Sequence, residues 1–288
     1  MVSIVVTTYM EHPLLKDMLR SVFEQTSPNW ELVIVDNSEN HYFEEWFKNN
    51  YPDDNHNIKI INTPNIGILP GHYKLLGAKE SSCSIDEFIV WLDHDDLLIP
   101  TVVENVEHIA KLYPMCELIT AEYTSLVRLE DEWGINVVAR IGEDVCIDRN
   151  TKSVKLIGID FNYPDGLIRM CSNHPYKPSL HPKIVRKRAI LDERFMLNIT
   201  TNHDDQPIGA YGMSTLMLPE VHINDVQYCY NIHWYIPHTS CAHKVPPMEN
   251  QVFRTEHETC EALYNILDAH NFKKNRIIYN PIHKIFVD

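Results

Sequence analysis

Apolar blocks alternate with amphipathic blocks along the first hundred residues of the chain. The apolar blocks are short and rich in β-branched residues, which is typical of strands covered on both faces. Between them apolar residues recur at helical spacing, first after Pro13, a residue that suits the first turn of a helix. The predicted strands are 2–8, 31–35, 58–61 and 88–92, and the predicted helices are 14–23, 42–47, 71–80 and 102–112. This alternation with short connections predicts a parallel sheet with right-handed helical crossovers.

The pattern is weaker from residue 117 to 180. There we expect short strands in an antiparallel arrangement, and after them a mixture of strands and helices. The predicted strands are 118–127, 136–141, 154–159, 182–185 and 226–236, and the predicted helical segments are 188–192, 208–218 and 257–269. Together the two parts predict an α/β protein with a mainly parallel sheet flanked by helices and a smaller antiparallel portion.

Composition narrows the classes of partner. The chain has 288 residues, and 40 Asp and Glu against 25 Lys and Arg give a formal net charge of -15. Such a charge disfavours nucleic acid and anionic membrane surfaces as partners. The seven cysteines are odd in number and show no C-x-x-C spacing, which favours a reducing compartment. With no signal peptide or long apolar stretch in this sequence, we expect a cytoplasmic protein without an integral membrane segment.

The tetrapeptide DHDD at 93–96 directly follows the apolar run 88–92. A buried strand thus brings carboxylates to its carboxyl end, where open α/β sheets bind ligands. On an extended backbone the side chains of Asp93 and Asp95 would point the same way. Two carboxylates suit Mg²⁺ or Mn²⁺ held together with the phosphates of a substrate. The tetrapeptide therefore predicts a metal–diphosphate site, with a polar turn that caps the helix starting near Pro100 as the alternative.

Four segments of the chain together resemble the GT-A glycosyltransferases of the family 2 type. They are VSIVVTTY at 2–9, ELVIVDNS at 31–38, the pair Asn65-x-Gly67 and FIVWLDHDD at 88–96. In type, order and spacing they match that family's first strand, its VDDGS-like turn, its N-x-G element and its D-x-D motif. The resemblance covers about the first 110 residues well, and 181–245 more weakly.

The resemblance implies a GT-A (Rossmann-like) fold and a metal-dependent, inverting glycosyltransferase. Residues 1–115 would form the nucleotide-sugar-binding half. Residues 116–288 would form the acceptor-binding half of the same domain, ending in a C-terminal helical extension. The expected donor is a nucleotide-sugar, in the first place a UDP-sugar, the acceptor is a hydroxyl group, and the cofactor is Mn²⁺ or Mg²⁺.

The resemblance also implies residues that bind the donor. Thr8 and Tyr9 would line the nucleotide pocket, with simple turn residues as the alternative. Asp36 would accept a hydrogen bond from the base, a role compatible with capping the next helix. Asn65 and Gly67 would let the backbone approach the donor closely.

The chain departs from the family pattern at two places. Asn37 replaces the second Asp of the VDDGS-like turn, which leaves the identity of the base open. His72 and Tyr73 stand where family members often carry Arg-Asn, so the cation that assists the diphosphate would be Lys74, or His72 when protonated. A solvated helix lysine is the alternative for Lys74.

The remaining roles are metal ligation and proton removal. The resemblance assigns Asp93 and Asp95 to the metal, and Asp93 also to the donor site. A late histidine often completes the metal shell, and His243 is the candidate with His238 second. The proton of the attacking hydroxyl would go to Asp205, with Asp204 as the alternative residue, unless this pair only caps a helix.

Two other functions remain open at this stage. A sugar-1-phosphate nucleotidyltransferase shares this sheet type but needs a Gly-rich, Arg-containing loop after the first strand, and the segment TTYMEHPLL has neither residue. A non-catalytic nucleotide-sugar or carbohydrate-binding protein is the other possibility, and the carboxylates at both predicted sites argue against it. A glycan, a protein side chain, a lipid-linked intermediate and a nucleobase all remain open as acceptors, the last disfavoured by the acidic charge.

Overall fold

The computed structural model describes eleven segments of the chain, on which all structural statements rest. They are residues 1–9, 14–38, 40–52, 57–65, 70–128, 136–139, 143–148, 153–158, 183–192, 218–233 and 277–287. The helices are α1 (Leu15–Phe23), α2 (Tyr42–Asn50), α3 (Pro70–Glu80), α4 (Val102–Leu112) and the short α5 (Lys187–Ile190). The strands up to α4 are β1 (Val2–Thr8), β2 (Trp30–Asp36), β3 (Ile58–Asn62), β4 (Phe88–Asp93) and β5 (Leu97–Leu98). Those that follow are β6 (Leu118–Arg128), β7 (Asn136–Ala139), β8 (Glu143–Asp148), β9 (Ser153–Gly158), β10 (Lys183–Arg186), β11 (Glu220–His233), β12 (Ile277–Asn280) and β13 (Ile285–Val287).

Eleven of the described strands form one mixed sheet, and β8 and β9 form a separate antiparallel pair. The order across the large sheet is β13-β12-β11-β6-β10-β4-β1-β2-β3, with β5 beside β11 and β7 beside β6. Strands β1 to β4 are parallel to one another, as predicted. Strand β10 runs antiparallel to both β4 and β6, so it reverses the direction at the middle of the sheet. The predicted mixed α/β fold class is confirmed.

The longest pair in the second part of the chain was not predicted. Strands β6 and β11 run parallel to each other, while β6 is antiparallel to its other neighbours β7 and β10. A parallel pair needs a long crossover, and a long stretch of chain lies between these strands. The neighbours β6–β7 and β8–β9 are antiparallel, as expected. Strand β8 was not predicted, and β11 begins earlier than the predicted 226–236.

The central strands are mostly apolar, and the sheet is covered by helices on both faces. Alternate residues of β1 face opposite sides, so Ile4 packs with α1 and α4 in one core cluster and Val5 packs with α3 in the other. Burying each such side chain contributes about 1.5–3 kcal/mol. Helix α3 lies especially close to the sheet, since a Cβ at Gly77 would stand 2.4 Å from Val5 Cγ1. This close approach brings the polar side chains of α3 near the strand ends.

The carboxyl ends of the parallel strands lie side by side at one edge, which we call the carboxyl edge. Thr8 is level with Asp36, Asp36 with Asn62, and Thr7 with Asp93. The fold therefore brings together polar residues that lie far apart in the sequence.

Several predicted elements lie outside the described residues. The predicted helix 257–269 lies wholly outside them, and of 208–218 only Leu218 is described, in no helix. The last described residues form β12 and β13, which extend the main sheet next to β11. Strands from both predicted halves thus share one sheet. No helix in the described segments is long and apolar enough to cross a membrane.

Candidate active site

The acidic tetrapeptide forms a tight turn at the carboxyl edge. Strand β4 ends at Asp93, and the Asp96 N–H donates to the Asp93 carbonyl at 3.1 Å. Asp93 and Asp95 are both partly exposed, whereas Asp96 is fully buried. The expectation of an extended backbone through Asp95 was wrong, because the chain turns at His94 and Asp95. Both predicted carboxylates nevertheless lie in one turn that is accessible to a ligand.

Tyr228 on β11 holds this turn from the other side. Its hydroxyl donates to Asp96 Oδ2 at 2.6 Å and accepts the Asp93 N–H at 3.3 Å. Burial, and then the nearby carboxylates of Asp96 and Asp93, raise the pKa of the Tyr228 phenol well above its usual value, so the hydroxyl stays protonated. Asp96 therefore anchors the turn to β11, and helix α4 has Thr101, not Asp96, at its N-cap position.

Lys74 on α3 lies opposite the same turn. Its Nζ donates to Asp93 Oδ1 at 2.6 Å, and its side chain is 2% exposed, against 30% for Asp93. The alternative of a solvated helix lysine is thereby excluded. A buried ammonium requires an anionic partner, and Asp93 is that partner. His72, the other candidate cation, is exposed on α3.

Asp36 is fully buried at the end of β2 and organises the loop that follows. Its Oδ1 accepts from the Ser38 N–H at 3.0 Å and from the Ser38 hydroxyl at 2.6 Å. Its Oδ2 accepts from the Phe43 N–H in the first turn of α2 at 3.0 Å. The helix-capping alternative is thus observed. A carboxylate offers about four acceptor positions, so these three bonds do not use all of them.

Thr8 lies beside Asp36 at the end of β1. It is 2% exposed, and its hydroxyl has no hydrogen-bond partner among the described residues. A buried hydroxyl without a partner is uncommon, because leaving it unpaired costs about 1–3 kcal/mol. Tyr9 and Asn65 are both half-buried near this edge. These positions agree with the predicted donor-binding roles, which stay predictions.

The chemistry of this donor set fits a divalent cation. The described residues contain no cluster of three or more His, Cys, Asp or Glu side chains that could hold a metal by itself. A Mg²⁺ or Mn²⁺ ion that shares the phosphates of a substrate needs only one or two carboxylates. The turn offers two, Asp93 and Asp95, although one oxygen of Asp93 is already hydrogen-bonded to Lys74.

Other predicted site residues lie outside the described part of the chain. They are Gly67, the acidic pair Asp204 and Asp205, and the histidines His238 and His243.

The comparison with protein families agrees with this geometry. Residues 3–114 match the model described as glycosyl transferase family 2. This match agrees with the predicted resemblance over the first part of the chain, and the predicted GT-A-like mixed α/β fold is confirmed.

A curated relative is the bifunctional glycosyltransferase pgtA of Dictyostelium discoideum. It is 29% identical over 180 residues, which cover 59% of this chain and 22% of that protein. The chain therefore spans about a fifth of the length of this relative.

Two solved structures share the fold. TarS 1-349 of S. aureus in complex with UDP-GlcNAc superposes with a TM-score of 0.58 at 14% identity, covering 98% of this chain and 69% of that one. GalNAc-T7 with UDP, GalNAc and Mn²⁺ superposes with a TM-score of 0.56 at 12% identity, covering 93% of this chain and 48% of that one. At such low identity these likenesses establish the fold alone.

Sequence reasoning missed Tyr228 as part of this family 2-like site. It lies 132 residues from Asp96 in the chain, inside a strand whose apolar and polar residues alternate without a motif. A polar ring at a buried strand position was the only signal available, and many core tyrosines share it.

Proposed function

We propose that this chain transfers a sugar from a UDP-sugar to an acceptor hydroxyl, with inversion and with the help of Mn²⁺ or Mg²⁺. The observation that carries the proposal is the turn at the carboxyl edge. There two carboxylates lie partly exposed in one turn and one of them, Asp93, pairs with the buried Lys74, within residues that match the glycosyl transferase family 2 model. TarS is crystallised with UDP-GlcNAc and with UDP, and GalNAc-T7 with UDP and Mn²⁺, which supports the choice of donor and cofactor.

Donor binding would use residues from several strand ends. Thr8 and Tyr9 would contact the nucleotide, Asp36 the base, and Asn65 with Gly67 the sugar-nucleotide backbone. Asp36 is held in place by Ser38 and by the N-terminus of α2, so its orientation is set before the donor arrives.

The leaving diphosphate would be stabilised by charge at the turn. Asp93 and Asp95 would hold the divalent ion, which supplies positive charge to the departing phosphates when bound. Lys74 would add a second positive charge from the α3 side. His243, or else His238, would complete the metal shell.

The attacking hydroxyl would lose its proton to Asp205, or else to Asp204. With the base opposite the leaving group, attack inverts the anomeric carbon. We keep residues 1–115 as the donor half and 116–288 as the acceptor half. Among the described residues, the thiols of Cys83 and Cys116 are free and buried, which supports a reducing compartment such as the cytoplasm.

The test is release of UDP from a panel of UDP-sugars offered with mixed acceptors, with Mn²⁺ or with a chelator. We expect turnover that needs the metal, a loss of at least about a hundredfold in Asp95→Asn, and a loss of about 10²–10⁴-fold in Asp205→Asn. Glu45→Gln, at an exposed position on α2, is the control for the same carboxylate-to-amide change and should keep full activity.

The configuration of the product, read by NMR, tests inversion. Tight donor binding without any release of UDP would support the non-catalytic binding protein instead. Near-normal turnover in Asp205→Asn would remove that residue from the role of base.

A further inference from the structure

The ion pair between Lys74 and Asp93 changes the net formal charge at the turn where a metal ion would bind. Two carboxylates alone would present two negative charges to an incoming cation. With the Lys74 ammonium 2.6 Å from Asp93 Oδ1, the three groups together carry one formal negative charge. The ammonium is 2% exposed, so water screens it far less than a surface lysine. The ammonium therefore lowers the attraction of this turn for a free divalent ion, although the turn as a whole stays negatively charged.

Helix α3 holds the backbone of Lys74 close to the sheet. Lys74 lies in the same helical turn as Gly77, where the helix backbone approaches Val5 of the sheet too closely for any larger side chain. Leu75 and Ala78 of the helix are buried against the same face. The backbone of Lys74 is thus fixed against the sheet, and a change of partner at its ammonium needs only side-chain rotation.

Asp93 is also held in place, through its main chain. Its N–H donates to the Tyr228 hydroxyl, and its carbonyl accepts the Asp96 N–H. A change of partner at the Asp93 carboxylate therefore needs no movement of the backbone. Asp93 can face the ammonium in one state and share its oxygens with a divalent ion in another.

We propose that Lys74 makes the metal and the donor diphosphate depend on each other for binding, a proposal that rests on the function proposed above. Without the diphosphate, the ammonium neutralises Asp93 and keeps Mn²⁺ affinity low. When the diphosphate binds, its oxygens offer Lys74 a second anionic partner, and Asp93 becomes available to the metal. Because binding couplings are reciprocal, Mn²⁺ strengthens UDP binding by the same factor as UDP strengthens Mn²⁺ binding.

Replacing the ammonium by a neutral side chain should therefore improve one binding reaction and weaken another. In Lys74→Met the long apolar stem is kept and the charge is lost. We expect Mn²⁺ alone to bind at least about fivefold more tightly than to the wild type, which is the lower end of ordinary couplings between sites. We expect UDP without metal to bind more weakly, and the gain in Mn²⁺ affinity on adding UDP to shrink.

The experiment measures Mn²⁺ binding to the full chain by electron paramagnetic resonance, with and without UDP. Lys74→Gln serves as a second neutral variant, which still offers an N–H to Asp93 if Lys74→Met fails to fold. Lys79→Met, an exposed lysine on the same helix, is the matched control and should behave as the wild type. Thermal unfolding establishes that each variant is folded.

The outcomes separate this inference from the proposed function. Tighter Mn²⁺ binding with reduced UDP coupling in the neutral variants supports the inference. Unchanged or weaker Mn²⁺ binding in the folded neutral variants, with Mn²⁺ and UDP still bound by the wild type, overturns it and leaves the proposed function standing. Absence of both Mn²⁺ and UDP binding in the wild type overturns the proposed function and the inference with it.

Discussion

The two edges of the parallel sheet both contain buried cations, but these cations have different partners. At the amino edge, where the parallel strands begin, Arg186 donates to the backbone carbonyls of Cys116, Asp86 and Pro114. Its Nε also lies 3.8 Å from the largely buried carboxylate of Glu117. Its guanidinium also lies 4.4 Å over the ring of Phe88. Lys187, next to it, donates to the carbonyls of residues 81 and 83.

At the carboxyl edge the buried cation pairs with a partly exposed carboxylate, and one buried hydroxyl has no hydrogen-bond partner within the described segments. Lys74 donates to the partly exposed Asp93, and Thr8 has no hydrogen-bond partner among the described residues. At the amino edge the buried cations bind groups of the protein that are themselves within the fold, whereas at the carboxyl edge the partner carboxylate is partly exposed and can be reached by a ligand. We therefore expect buried charge to stabilise the fold at the amino edge and to serve ligand binding at the carboxyl edge.

Arg186→Met should give the largest change in stability, and none in ligand affinity. Three carbonyls lose a charged donor, so we expect the free energy of unfolding to fall by about 3 kcal/mol or more. Denaturant unfolding measures the loss, and Arg20→Met, at an exposed position on α1, is the control. A loss below about 1 kcal/mol would contradict the view of the amino edge as structural.

Tyr228→Phe should affect both stability and binding, because its hydroxyl lies between the core and the turn. We expect a loss of about 1–2 kcal/mol in unfolding free energy, together with weaker binding of Mn²⁺ in the presence of UDP. The matched control is Tyr279→Phe, which removes a hydroxyl that lies 3.1 Å from His108 Nδ1, away from the turn. If both variants lose stability and neither loses Mn²⁺ affinity, Tyr228 supports only the fold.

Thr8→Val should give the smallest change in stability and a selective loss of donor affinity. The methyl group replaces a buried hydroxyl without a described partner, so we expect stability to stay equal or to rise by up to about 1 kcal/mol. Ser3→Ala at the other edge removes a hydroxyl that donates to Glu31, and it should lower stability without changing UDP affinity. Calorimetric titration with UDP separates the two, and equal UDP affinity in Thr8→Val and the wild type would exclude Thr8 from the donor site.

Much of the fold could be predicted from local patterns. Strands 2–8 and 88–92 are continuous apolar runs, and such runs are buried wherever the sheet forms. Helix α1 carries its four buried residues at helical spacing, so its inner face is readable without a partner. The pairing of β6 with β11 was not readable in this way, because no local pattern tells a strand which distant strand lies beside it.

The site was predictable to a smaller extent. The sequence by itself determined that carboxylates follow the apolar strand β4, because order along the chain needs no folding to be read. The tertiary structure alone decided that Lys74 is buried against Asp93 and that Tyr228 holds the turn. Both contacts depend on how closely α3 and β11 approach the strand end, and that distance is set by packing between elements remote in sequence.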